Sequence, residues 1–400
     1  MFKSQAPAAH TSLFSGSGFF LFVLLLTAAN LRAPLTATGP LLENICLTFG
    51  LTATEAGLLN FIPLMMFATL APGAAWLGNR VGLKKTLWGA LWLISLGSLL
   101  RITENSAALW LGTLTLSMGI AAANVLLPPL IKRDFTAHTA KYIGLYASTM
   151  AITASLASGI AVPLAQLTDS GWVLSLGVWI VPAIIALAAW LPQLHRAPAA
   201  VSAVVAGTAA LRSPWRAALG WQVSLFMALQ SLVFYSLIAW FTPYAQTNGF
   251  SQATAGWLLF IYQIVAVIAN PVCMVALKKL HDQRLIALSA SLGIFIGVAG
   301  LLLAPHLAVA WLVIAGLGAG ASMVTSLSLF SLRAGDPRQA AQLSGMAQCV
   351  GYGVAAPGPL IFGMLHDKFA SWSLPLLMLL GMSLLQMIIA PLAGRNKVIG

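Results

Sequence analysis

Twelve stretches of this chain are apolar for long enough to cross a lipid bilayer, and that succession limits the fold more than any other feature. A helical crossing needs roughly 20 predominantly apolar residues. Such stretches fall at 18–41, 53–77, 84–103, 107–131, 140–165, 172–192, 217–242, 253–277, 284–304, 308–332, 340–364 and 371–393. They are numbered here as spans 1 to 12. The chain has 400 residues, 60% hydrophobic and only 7% charged, and no water-soluble globule of that size could hide so much apolar surface. An all-α integral membrane protein follows, with the lipid bilayer as its solvent. The first stretch outruns the apolar core of a signal peptide and is read as a retained span.

A net charge of +12 would suggest a nucleic-acid partner in a soluble protein. Here its distribution decides. With both termini in the cytoplasm, 17 of the 20 Lys and Arg residues fall on the inside, against Arg101 and Lys368 outside and Arg32 within a span. That bias is the positive-inside rule, which sets the orientation and makes the charge a topology signal; no nucleic acid is implied. Cys46, Cys273 and Cys349 have neither CxxC nor metal-ligand spacing, so no disulfide framework, metal site or cofactor is expected.

The chain also repeats itself. "AGLLNFI" at 56–62 returns as "AGWLLFI" at 255–261, an offset of 199 that also matches Pro72 with Pro271. Each copy runs into a short basic loop, "GNRVGLKK" from Gly78 and "LKKLHDQR" from Leu277. An offset of half the chain implies a duplicated six-helix unit, with a substrate site near the bilayer midplane between the halves. The expected division is 1–192, an N-terminal bundle; 193–216, a cytoplasmic linker rich in Ala, Pro and Ser; and 217–400, a C-terminal bundle. A monomer is expected.

Polar side chains are costly in lipid and should gather on helices that line a cavity. Away from helix ends, spans 3, 6, 9 and 12 hold a single Asn, Gln or charged residue, Gln386. The other eight hold Asn30, Arg32, Asn60, Asn124, Gln222, Gln230, Gln263, Asn270 and Gln348. A split at every third helix is what a two-fold transporter with an outer ring of supporting helices produces.

Arg32 stands out because it lies deep in a span with no acid near it; Glu43 is eleven positions on, about 16 Å along a helix. A guanidinium keeps its proton and offers a planar fork of five donors, suited to carboxylate, nitro or other small planar acceptors. It could dock an anionic or electronegative solute. It could equally satisfy the carbonyls that Pro34 and Pro40 release at Asn30 and Thr36, and the two roles can coexist. Asn30 faces another side of the helix and is read as packing support.

The remaining substrate-contact candidates are Asn124 in span 4, Tyr146 in span 5, Gln230 and Tyr235 in span 7, Gln263 in span 8, and Gln348 with Tyr352 in span 11. Each also has an ordinary reading as helix packing or an interhelical hydrogen bond. Gln230 and Tyr235 flank Ser231, the position equivalent to Arg32 in the second half. Arg80, Asp282 and Arg284 in the basic loops are candidates for a gating charge network, with Asp134 and Asp336 also on that side. The first loop carries Asn79 where an acid would strengthen such a network.

Catalytic sets are missing from the pattern. His10, His138, His195, His281, His306 and His366 sit in loops or at span ends, and no Ser, His and acid set or phosphate loop appears. A membrane enzyme is therefore disfavoured, and no catalytic residue is assigned. No carboxylate lies in mid-span for proton coupling, which leaves Glu43 at the outer end of span 1. A channel conflicts less directly with a duplicated build.

Twelve spans in two halves with basic loops after spans 2 and 8 resemble the major facilitator superfamily. Within it, "NLRAPLTATGPLL" (30–42), "AGLLNFIPLMMFATLAP" (56–72), "NVLLPPLIKRDF" (124–135) and "VWIVPAIIALAAWLP" (178–192) resemble the bacterial cyanate and 2-nitroimidazole transporters. "LIKRDF" at 130–135 looks closer to the nitroimidazole side. The likeness is strong in the first half and weak in the second. It implies two pseudosymmetric six-helix bundles of major facilitator type and a secondary transporter of the inner membrane for a small electron-rich solute. An efflux transporter for an unrelated drug or metabolite is the alternative.

Overall fold

The computed structural model describes residues 16–135, 139–169, 171–194, 212–335 and 337–399. Most of the expected linker, and Asp336, lie outside the described residues. Span 1 comprises Gly16–Ala29, Ala33–Thr36, Gly39–Leu41 and Leu42–Phe49. Spans 2 to 5 are Ala53–Val81, Leu83–Arg101, Ser106–Asp134 and Thr139–Ala165, and span 6 is Gly171–Gly177 with Ile180–Leu194. In the second half, spans 7 to 10 are Ala218–Thr247, Gln252–Lys279, Arg284–Leu303 and Ala308–Leu332. Span 11 is Pro337–Ala355 with Pro357–Phe369, and span 12 is Ser373–Gly394.

Among the described residues, 11 spans are long and apolar enough to cross a membrane by composition alone. The twelfth, span 3, has 19 residues that include Lys84, Lys85 and Arg101, which dilute its hydropathy. Three helix starts at the end opposite the basic loops, called here the far end, are capped by side chains. Thr52 and Glu55 form a capping box for span 2, Asn105 caps span 4 and Ser251 caps span 8. Each cap satisfies an otherwise orphaned N–H group of a first turn.

Within each half, supporting helices meet at glycines. A Cβ on Gly119 of span 4 would lie 2.5 Å from the carbonyl oxygen of Ala90 in span 3; one on Gly318 of span 10 would lie 2.6 Å from that of Ala290 in span 9. These glycines are separated by the repeat offset, so both halves use the same backbone contact. Small residues at such crossings let helices gain dispersion energy where lipid supplies no hydrophobic drive.

Two arginines lie buried at opposite ends. Arg333, at the basic end of span 10, is 1% exposed. It donates to the carbonyls of Ala393 (3.2 Å) and Gly394 (2.9 Å) and to Gln283 Oε1 (2.5 Å), tying spans 9, 10 and 12 together. Arg101, which the charge distribution assigns to the outer surface, is 3% exposed at the far end of span 3.

The halves meet at the far end. A Cβ on Gly39 would collide with the carbonyl of Ile238 in span 7, and one on Gly57 would sit 2.8 Å from Leu360 Cα in span 11. Gln252 Nε2 donates to Pro40 O (2.8 Å) and Asn44 Oδ1 (2.5 Å). Nearer the basic end the helices part: among the described residues, nothing beyond the adjoining turns of its own helix lies within 4 Å of a Cβ built on Gly73 of span 2, Gly144 of span 5 or Gly345 of span 11. This conformation is closed at the far end.

Candidate functional site

Span 1 breaks where Arg32 sits. Its first helix ends at Ala29, and Asn30 to Arg32 form a turn. Pro34 and Pro40 each occupy the opening turn of a short new helix, the place where a missing N–H costs nothing. Arg32 is the N-cap of the first of these, with non-helical φ −129° and ψ −40°. The guanidinium thus leaves the backbone at a discontinuity instead of along a helix face.

Arg32 Nη1 donates to the hydroxyl of Tyr235 in span 7, and its guanidinium carbon lies 5.4 Å from the centre of that ring. The Tyr235 ring is 6.4 Å from that of Tyr352, which makes an edge contact with Phe67 at 5.4 Å. Tyr146 is buried in one cluster against which Tyr235 and Tyr352 pack. Tyr146 Oη donates to Asn124 Oδ1 at 3.1 Å. Arg32, Asn124, Tyr146, Tyr235 and Tyr352, drawn from spans 1, 4, 5, 7 and 11, therefore form one cluster of a guanidinium, three phenols and an amide.

The other sequence-predicted residues sit elsewhere or are already engaged. Gln263 Nε2 donates to Ser158 Oγ at 2.7 Å, joining spans 8 and 5. Gln230 is 4% exposed and accepts from Ser231. Gln348 is exposed, and its amide donates to Ser344 of its own helix at 3.1 Å. Asn30 is fully buried and donates to Leu26 O at 2.8 Å. Arg80 stacks over Trp76 at 5.2 Å, Arg284 pairs with Asp282 at 3.4 Å on the surface, and Arg133 pairs with Asp134 at 2.6 Å. The Asn79 side chain lies outside the described residues.

Two participants lie outside the set of site residues that the sequence suggests. Arg101 reaches from span 3 into the break of span 1, where Nη1 donates to Pro34 O at 2.8 Å and Nη2 to Thr38 Oγ1 at 2.7 Å. It braces the segment that carries Arg32. The carbonyl of Thr36 accepts from Ser158 at 3.3 Å instead. The second is Asn60 of span 2, which lines a cavity of about 30 Å³ together with Arg32 and Tyr235. A signal for Arg101 does exist: it is one of only two basic residues that violate the inside bias.

The paired halves, the broken first helix and a charged cluster between the halves define a membrane transporter of small solutes. The Major Facilitator Superfamily model matches residues 14–359, and the chain belongs to that family. It is 39% identical over 94% of its length to the 2-nitroimidazole transporter of Escherichia coli, covering 95% of that protein. It is 28% identical to the cyanate transport protein CynX of Escherichia coli over 93% of its length and 97% of that protein. Among solved structures, an inward-facing, unoccupied bacterial homologue of the human lysosomal transporter Spinster shares the fold. The TM-score is 0.81 and the identity 16%, over 96% of this chain and 98% of that one.

Proposed function

We propose that this transporter moves a small anionic or electron-rich solute, 2-nitroimidazole-like or cyanate-like, across the bacterial inner membrane by alternating access. The observation that carries the reading is Arg32: a guanidinium between the halves that, among the described residues, pairs with no carboxylate, is held by a phenol, and keeps its buried Nε without a partner. Isolated buried cations are costly, and a cargo that supplies negative charge or lone pairs offsets that cost. Asn124, Tyr146, Tyr235 and Tyr352 frame the site; Gln348 stands one turn from Tyr352, and Gln230 and Gln263 are held by hydrogen bonds to Ser231 and Ser158. The two bundles, 1–192 and 217–400, rock about this site with both termini cytoplasmic, and the protein works as a monomer. The basic end then faces the cytoplasm.

The test is solute uptake into proteoliposomes. Arg32→Ala and Arg32→Lys should both abolish uptake of 2-nitroimidazole and of cyanate while the protein still inserts and folds, since a lysine lacks the planar fork. Normal transport by both variants would sink the reading.

A further inference from the structure

The cavity beside Arg32 leaves an imbalance of hydrogen-bonding groups. Its polar walls are Arg32, Thr36, Thr38, Asn60 and Tyr235; the rest is apolar. Thr36 Oγ1 donates to Ala154 O at 3.0 Å, and Thr38 Oγ1 serves Arg101. Tyr235 Oη is taken by Arg32 Nη1. Arg32 Nε and Asn60 Nδ2 are both buried and, among the described residues, both without a partner. Buried donors are rarely left unpaired in native proteins, so two on the wall of one cavity need a reason.

The repeat supplies a second, independent observation. Asn60 is the fifth residue of "AGLLNFI", and at the same register of "AGWLLFI" stands Leu259, which is fully buried in the core. The second half packs this position with a hydrocarbon. The equivalent of Arg32 in that half is Ser231, also buried. Duplication thus gave two helices the same packing register; the hydroxyl of Ser231 is spent on Gln230, and only the first half carries a donor at the 60/259 position. Packing alone does not account for an amide at 60.

Resting on the function proposed above, we infer that Asn60 is a specificity-determining residue, the second donor of the solute site, and that with Arg32 it selects a planar solute with two acceptor atoms at one end, as in a nitro or carboxylate group. Both free donors come from spans 1 and 2, so the seat for those acceptors belongs to the first half. The phenol that occupies Arg32 Nη1 comes from the second. A solute with a single acceptor leaves one donor unpaired, and a site built around hydrogen bonds discriminates strongly against such an analogue. A volume of about 30 Å³ has room for a few polar atoms.

The experiment measures binding to purified full-length protein with two probes, 2-nitroimidazole and imidazole-2-carbaldehyde, which share a ring but carry two and one acceptor oxygens. Asn60→Leu should weaken 2-nitroimidazole binding by about tenfold or more and change aldehyde binding much less. It should melt no lower than the wild type without ligand, because Leu259 shows that a leucine suits this register. Asn60→Ser, which keeps a small donor, should fall between the two. Wild-type affinity for 2-nitroimidazole in both variants would overturn the inference and leave the Arg32 reading intact. So would a clearly lower melting temperature or failure to fold in Asn60→Leu, which would make the amide a packing element. Failure of the wild-type protein to bind 2-nitroimidazole or cyanate would overturn the proposed function, and this inference with it.

Discussion

The carboxylate of Asp367, at the end of span 11, caps the first turn of span 2 through Thr54. One oxygen accepts the Thr54 backbone N–H at 2.7 Å and its hydroxyl at 2.6 Å, and the other accepts the Ala53 N–H at 3.1 Å. An anion at a helix N-terminus is favourable, and here that anion comes from the opposite half of the molecule. The contact is therefore a latch on the far end.

Asp367→Ala should loosen that latch. The group is exposed, so its contribution is about 1 kcal/mol, which corresponds to a roughly fivefold shift between conformations. In a background without the native cysteines, a cysteine at Leu59 should react several-fold faster with an impermeant maleimide added at the far side. An unchanged labelling rate would show that the latch carries no weight.

Gly57 and Gly256 are partners in the repeat, and each faces the other half. A Cβ at 57 would lie 2.8 Å from Leu360 Cα and 2.9 Å from Pro359 O, whereas one at 256 would lie 3.1 Å from Ser158 O. Backbone atoms cannot give way as a flexible side chain does. Gly57→Val should therefore block closure of the far end and abolish uptake, with normal insertion in the membrane. Gly256→Ala should retain partial transport, and proteoliposome uptake separates the two.

Arg101 is predicted to position Arg32. Arg101→Ala removes the donors to Pro34 O and Thr38 Oγ1, and each group left unpaired costs about 1–3 kcal/mol. The expected result is a melting temperature lower by several degrees and a raised KM for uptake. Arg101→Lys should recover part of both, since an ammonium can serve one acceptor well but not the two together. Wild-type KM in Arg101→Ala would remove it from the site's support.

Much of the architecture could be read because membrane insertion writes it locally. Apolar length marks each span, basic loops mark one end, and the 199-residue offset marks the duplication. Arg32 was conspicuous for the same reason, a lone charge against an apolar background. Pro34 and Pro40 signalled a weakened helix, although the break at Asn30 to Arg32 lies just before the first proline.

Contacts between distant segments left no such trace. Asp367 reads as one more loop acid until span 11 brings it to Thr54, more than 300 residues away. Gln263 and Asn60 are both amides in cavity-lining helices, and nothing in the chain distinguishes the one that bonds Ser158 from the one left free. Arg101 looked like surface charge because span ends are normally wet. Its burial follows from the irregular backbone of span 1, whose loose carbonyls need a donor.

Among the described residues Arg32 meets no acid in this conformation, and its hydrogen-bond partner is the phenol of Tyr235. The interior of the unloaded carrier therefore holds an uncompensated positive charge. Displacing a unit charge through a membrane potential costs or yields about 2.3 kcal/mol per 100 mV. Under the function proposed above, a monovalent anion would neutralise the loaded core, so voltage should act on the return of the empty carrier and leave the loaded stroke untouched. A neutral solute such as a nitroheterocycle would ride with that charge in both directions, and the same protein would then show a different dependence on membrane voltage for each class of cargo.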